Sequence, residues 1–331
     1  MAFTRREFLT ACASGLLLGS GSYFLWKEFR NRNWEERTFI AKAPSYQADI
    51  KSVIRNGLRE LGIGEADIRG KRVLLKPNLV ETVPGAVHIN THPLVVRGAV
   101  EAFLSLGAAR VAVAEGPGHI TDTLRVLYES GLEEVLWEDR IPFIDVNHEN
   151  GFTMANAGGC SRLKSLTLPV CLKDFDLVVS MAKLKTHHWA GVTLSMKNLF
   201  GLMPGSFYGW PKNYLHWAGI DGCIVDITAT VRPQLAIVDG IVGMEGDGPI
   251  MGDAKQVGVL VLGRNLPAVD ATCTRIMGIK PHQVESLSLA EGWLGPLRET
   301  CIRQVGETIA AVATPFLLLD KVPAQKALKT G

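Results

Sequence analysis

Three lysines and two histidines crowd one apolar stretch of this chain. Lys183, Lys185, His187, His188 and Lys197 lie between Met181 and Gly201, among residues that are otherwise apolar or small. Lysines gathered this closely favour an anion. They also depress one another's pKa, so that one amine can stand neutral and act as base or nucleophile. Histidine adds a group that gains or loses its proton near neutral pH. Adjacent histidines point different ways on regular structure, so His187 is taken as the candidate acid or base. The plain alternative is a solvated basic loop, which the packing residues Trp189, Met196 and Phe200 disfavour.

Other reactive residues follow apolar runs. Lys76-Pro77-Asn78 interrupts Arg72–Leu79, where a buried ammonium needs a partner or a ligand. Pairing of Lys76 with a structural carboxylate is the competing reading. Glu115-Gly116-Pro117-Gly118 ends a second run, and its glycines allow close approach to the backbone. Asp239-Gly240 ends another, followed by Glu245-Gly246-Asp247-Gly248-Pro249. Oxygen ligands from Glu115, Asp239, Glu245 and Asp247 suit a hard divalent cation, although a loop held by its own hydrogen bonds explains the last two nearly as well. His88 and His92 stand four apart, but Pro93 makes His92 a helix cap. The candidate catalytic groups are thus Lys185, His187 and Lys76. Lys183, Lys197, Asn198, Asn78 and Gly116 are candidates for holding a small anionic ligand.

These groups need elements to position them. Arg72–Leu79, Ala109–Ala114, Ile141–Val146, Ser165–Val170, Leu177–Met181, Leu235–Val238 and Val257–Leu262 read as strands. Helices are expected over Tyr46–Leu61, His92–Leu106, Asp122–Ser130, Gly191–Leu202, Asn213–Thr230, Pro267–Met277 and His282–Leu294. The alternation specifies an α/β fold: largely parallel sheet flanked by helices, as one body or as two α/β lobes with a cleft between them. Basic groups at the carboxyl end of a strand, feeding a helix, sit where open α/β sheets bind ligands.

The chain has 331 residues, 47% hydrophobic and 21% charged, with a formal net charge of +2. Residues 1–43 hold seven Lys/Arg against four acids, so the remainder is near neutral, which argues against nucleic acid as a partner. Thr4-Arg5-Arg6-Glu7-Phe8-Leu9 fits the twin-arginine export pattern, and an uncharged stretch follows to Trp26. As a helix, residues 8–26 would span ~28 Å, about the hydrocarbon thickness of a bilayer. No clear cleavage site follows. The expectation is a signal or membrane anchor over 1–26, a linker over 27–45, a main α/β domain over 46–305 and a tail over 306–331. The twin-arginine translocase would then be a partner, and the protein would be periplasmic or anchored on the outer side of the cytoplasmic membrane. Cys160 and Cys171 flank a hairpin and could pair in such a compartment. No P-loop, dinucleotide glycine motif, nucleophile elbow or H-E-x-x-H motif is present.

Together, Lys76-Pro77-Asn78, Glu115-Gly116, Lys183-Leu184-Lys185-Thr186-His187, Val192 through Gly201, Asp239-Gly240, Glu245 through Pro249 and Ala268-Val269-Asp270-Ala271 resemble the domain-of-unknown-function 362 (DUF362) family. The resemblance covers roughly residues 70–280. Some members of that family carry an appended ferredoxin-like module. This chain lacks those cysteines, so no iron–sulfur cluster is expected. The resemblance implies a domain rather than a reaction. The functional expectation is an enzyme acting on a small anionic substrate through a Lys/His/acid cleft, with a protein that binds and delivers an anion or cofactor as the alternative.

Overall fold

A computed structural model describes residues 34–118 and 122–329. The strands are β1 (Glu36–Lys42), β2 (Arg72–Pro77), β3 (Arg110–Glu115), β4 (Phe143–Asp145), β5 (Gly151–Ala155), β6 (Ser165–Pro169), β7 (Leu177–His187), β8 (Gly191–Thr193), β9 (Leu235–Glu245), β10 (Asp253–Gly263) and β11 (Ile302–Gly306). Nine of them form one sheet in the order β11-β1-β10-β9-β7-β2-β3-β4, with β8 hairpinned onto β7. β5 and β6 pair apart from it. The core run β9-β7-β2-β3-β4 is parallel throughout. β10 is antiparallel to both β9 and β1.

The fold is therefore α/β as expected, built on a single sheet rather than two lobes. Its strands are apolar on both faces because both are covered. Val73, Leu75, Val179, Met181 and Ile237 belong to one core. Leu74, Val178, Ala182, Ala236 and Val238 belong to the other. Helices α1 (Ile50–Glu60) and α2 (Pro93–Ser105) close the first core. Asp49 caps α1 through the Ser52 amide at 3.0 Å, and His92 Nδ1 caps α2 through the Leu94 amide at 3.2 Å. The short helix α3 (Ser195–Asn198), with α4 (Ile220–Val231) and α5 (Leu266–Ile276), closes the second.

Three expectations are corrected. Residues 36–42, expected within a linker, form β1, which pairs with β10 and β11. Charged neighbours at Glu35, Glu36, Arg37 and Lys42 hide the apolar centre of this strand. The stretch expected as a tail packs on the body: Phe316 joins the second core, and buried Gln325 donates to the Gly246 carbonyl at 2.6 Å. Cys160 and Cys171 are both free thiols, the first exposed and the second buried. The expected signal or anchor over 1–26 lies outside the described residues.

The chain adds β3 and β4 on one side of β2, but β7 and β9 on the other. The carboxyl ends of β2 and β7 therefore flank the point where strand order reverses, the usual ligand crevice of open α/β sheets.

Candidate functional site

Lys76 ends β2 and is 1% exposed. Its Nζ lies 2.5 Å from Glu115 Oε2, at the end of β3, and donates to Asn198 Oδ1 at 2.8 Å. Glu115 also accepts from the Leu79 amide at 3.2 Å and the Gly116 amide at 2.9 Å. The Asn198 amide group donates to the Lys76 carbonyl and to Ser180 Oγ, both at 3.0 Å. Asn78 Nδ2 donates to the same Asn198 Oδ1 at 3.1 Å. Both amides are thereby fixed in orientation, since turning either would face like poles together. Asn78 Oδ1 is left buried without a partner among the described residues. Gly201 presses directly onto the ion pair: a Cβ there would collide with Glu115 Oε1 and Lys76 Nζ.

A second buried ion pair lies one strand over. Lys183 Nζ meets Asp239 Oδ2 at 2.8 Å and Tyr46 Oη at 2.8 Å. Asp239 accepts further from the His92 amide at 3.0 Å, and the Tyr46 and His92 rings stack at 3.7 Å. Lys185 has no carboxylate partner among the described residues and donates to the carbonyls of Ile89 at 2.8 Å and Pro249 at 3.2 Å. Burial, reinforced by Lys183, pushes its pKa far down. Lys183 and Lys185 share β7 side-chain parity with Met181 of the first core, whereas Lys76 shares parity with Leu74 of the second.

A cavity of about 520 Å³ opens beside the Lys76–Glu115 pair. Lys76, Asn78, Glu115, Gly116, Lys197 and Asn198 line it; Lys183 and Lys185 do not. The candidate residues from Lys183 to His187 are therefore divided. His187 does line the cavity, but its Nδ1 accepts from the amides of Trp189 at 3.0 Å and Ala190 at 3.2 Å. Burial first, then the charge of Lys197, holds it neutral. With Nδ1 accepting, the neutral ring carries its proton on Nε2.

Two lysines carry the free basicity of this cavity. Lys197, half-buried on α3, places Nζ 3.7 Å from the Phe200 ring centroid and has no carboxylate partner among the described residues. Burial, then Lys76, lowers its pKa to about 7. Lys212 is 2% exposed and donates to Asn147 Oδ1 at 2.6 Å and to the Met203 carbonyl. Burial lowers it likewise to about 7. Sequence reasoning passed over Lys212, a lone lysine in a Pro–Asn turn held at φ 67°. Asp270 positions α3 by accepting from the Ser195 amide at 2.8 Å, Ser195 Oγ at 2.5 Å and the Met196 amide at 2.9 Å. Its place in the Ala-Val-Asp segment was the available signal. Trp189, Phe200, His216, Ile250 and Met251 give the cavity an apolar, aromatic wall.

The four acids proposed for a cation do not converge. Glu115 and Asp239 are each taken up by a lysine, and Glu245 accepts from Lys255 at 3.0 Å and the Leu317 amide at 2.8 Å. Asp247 reaches the cavity wall, 4.0 Å from Lys321. Among the described residues no group of three or more His, Cys, Asp or Glu is placed to hold a metal ion.

Residues 73–275 match the family described as domain of unknown function (DUF362). The chain belongs to the DUF362 family. This DUF362 chain is also 29% identical over 263 residues to a thylakoid-associated protein of Synechocystis sp., covering 76% of the chain and 78% of that relative. A crystal structure of a Thermotoga maritima protein is similar over 68% of the chain, at 14% identity and a TM-score of 0.38; the chain spans 57% of that protein's length.

Proposed function

We propose that this DUF362 protein is an enzyme acting on a small anionic substrate in the cavity beside Lys76 and Glu115. The observation that carries this reading is the pair Lys197 and Lys212. Both are lysines near pKa 7 on one largely apolar cavity, with no carboxylate partner among the described residues. An amine near neutrality can take or give a proton at working pH, which a fully charged surface lysine cannot. The buried oxygens Asn78 Oδ1 and Thr193 Oγ1, both on lining residues and both unpartnered, support the entry of a ligand with its own polar groups. Lys76–Glu115 and Asn198 hold the cavity floor, while His187 offers a neutral donor.

Turnover tests this directly. Small carboxylates, phosphates and sulfonates are incubated with the full chain and followed by NMR. Consumption of one compound, lost in Lys197→Met, is the expected result. Binding without consumption at any pH would make the protein a carrier of that anion instead.

The Thr4–Leu9 pattern supports export by the twin-arginine translocase, to the periplasm or to the outer side of the cytoplasmic membrane. The name of the Synechocystis relative is in keeping with a place at a membrane. No helix among the described residues is long and apolar enough to cross one, so association would fall to residues 8–26.

A further inference from the structure

We propose that Lys197 is a carbonyl-capturing amine, which forms an imine with a small aldehyde or ketone that also carries an anionic group. The proposal rests on the reading of the cavity as a small-anion site and goes beyond it by naming the reactive group of the ligand.

The geometry separates Lys197 from the other lysines of the region. Lys76 and Lys183 are locked against carboxylates, Lys185 is held by the carbonyls of Ile89 and Pro249 and does not line the cavity, and Lys212 donates to Asn147 Oδ1 and the Met203 carbonyl. Lys197 faces the Phe200 ring instead, in a cavity whose walls include Val80, Ile250 and Met251. Its backbone is fixed, because Asp270 holds the start of α3 and Ser180 Oγ donates to the Ser195 carbonyl at 2.8 Å. With no carboxylate partner among the described residues and with its amine over the Phe200 ring, Lys197 can attract an anion while charged and act as a nucleophile while neutral.

The neutral Lys197 Nζ adds to the carbonyl carbon; the π pair moves to oxygen, which takes a proton. The resulting carbinolamine loses one water as the nitrogen gives up its remaining protons and C=N forms. Amine plus carbonyl thus gives imine plus water, with no oxidant or reductant required. Lys212, the second amine of the cavity, supplies charge for the anionic group. Asn78 Oδ1 and Thr193 Oγ1 are the unpartnered oxygens open to the carbinolamine hydroxyl.

The test uses the full chain with glyoxylate and cyanoborohydride at pH 7, followed by digestion and mass mapping. The expected result is labelling of Lys197 at least roughly tenfold above exposed lysines such as Lys280. Oxalate, an anion without a reactive carbonyl, should suppress it, and Lys197→Arg should abolish it. Labelling of Lys197 no greater than that of exposed lysines overturns the proposal, and the wild-type map alone decides this even if the variant fails to fold. If oxalate still raises the melting temperature in that case, the anion site stands and only the imine falls. If oxalate has no effect either, both fail.

Discussion

Charge at individual residues is arranged here in two different ways. Lys76–Glu115 and Lys183–Asp239 are closed pairs, buried and mutually satisfied. Removing one partner strands the other: Lys76→Met should cost about 3–5 kcal/mol in denaturant unfolding, and Lys76→Met with Glu115→Leu should recover much of it. Lys197 and Lys212 are open instead. Their folded pKa of about 7 lies below the ordinary 10.5, so the unfolded chain binds more protons between those values. Stability therefore rises as pH rises from about 7 toward 10.5. Lys212→Met should make that rise shallower in melting experiments; an unchanged slope would contradict the depressed amine. The closed pairs were legible in part, since Lys76 was read as needing a partner. Lys212 was not, because an isolated lysine in a turn carries no periodic signal.

At the level of elements, the site depends on close approach between the end of β2, the end of β3 and the segment after α3. The Gly116 amide donates to the Gly201 carbonyl at 3.0 Å, and a side chain at Gly201 would strike the Lys76–Glu115 pair. Gly201→Ala should therefore lower stability by about 1–3 kcal/mol and disturb ligand binding together with it. Calorimetry of the variant checks this; a wild-type melting curve would show that the segment can move aside. Strands were legible from their apolar runs, and with them the switch point between β2 and β7. What could not be read was parity between strands. Lys183 and Lys76 both follow apolar runs, yet they leave opposite faces of the sheet, and only pairing register reveals that. The bulge in the β7–β9 pairing between Lys183 and Lys185 is likewise silent in the sequence. The turn to α3 was read as helix from Gly191, whereas Gly191–Thr193 is strand because Gly191, at φ 75°, closes a hairpin.

For the whole molecule, polarity of the sheet sets what faces where. β1 runs parallel to β9, since both are antiparallel to β10, so the described chain enters at the end of the sheet opposite the carboxyl ends of β2 and β7. Replacing both Arg5 and Arg6 with Lys should trap the protein in the cytoplasm of its cell, as read by fractionation, and undiminished export would remove the twin-arginine assignment.

The central claim is that the cavity at the ends of β2 and β7 takes a small anion through Lys197. Thermal melts of the full chain against a panel of small carboxylates, phosphates and sulfonates test it most directly. At least one anion should raise the melting temperature of the wild type and of Lys280→Met, whose lysine is exposed away from the cavity, but not that of Lys197→Met. Equal stabilisation of all three proteins, or of none by any anion, would contradict the account.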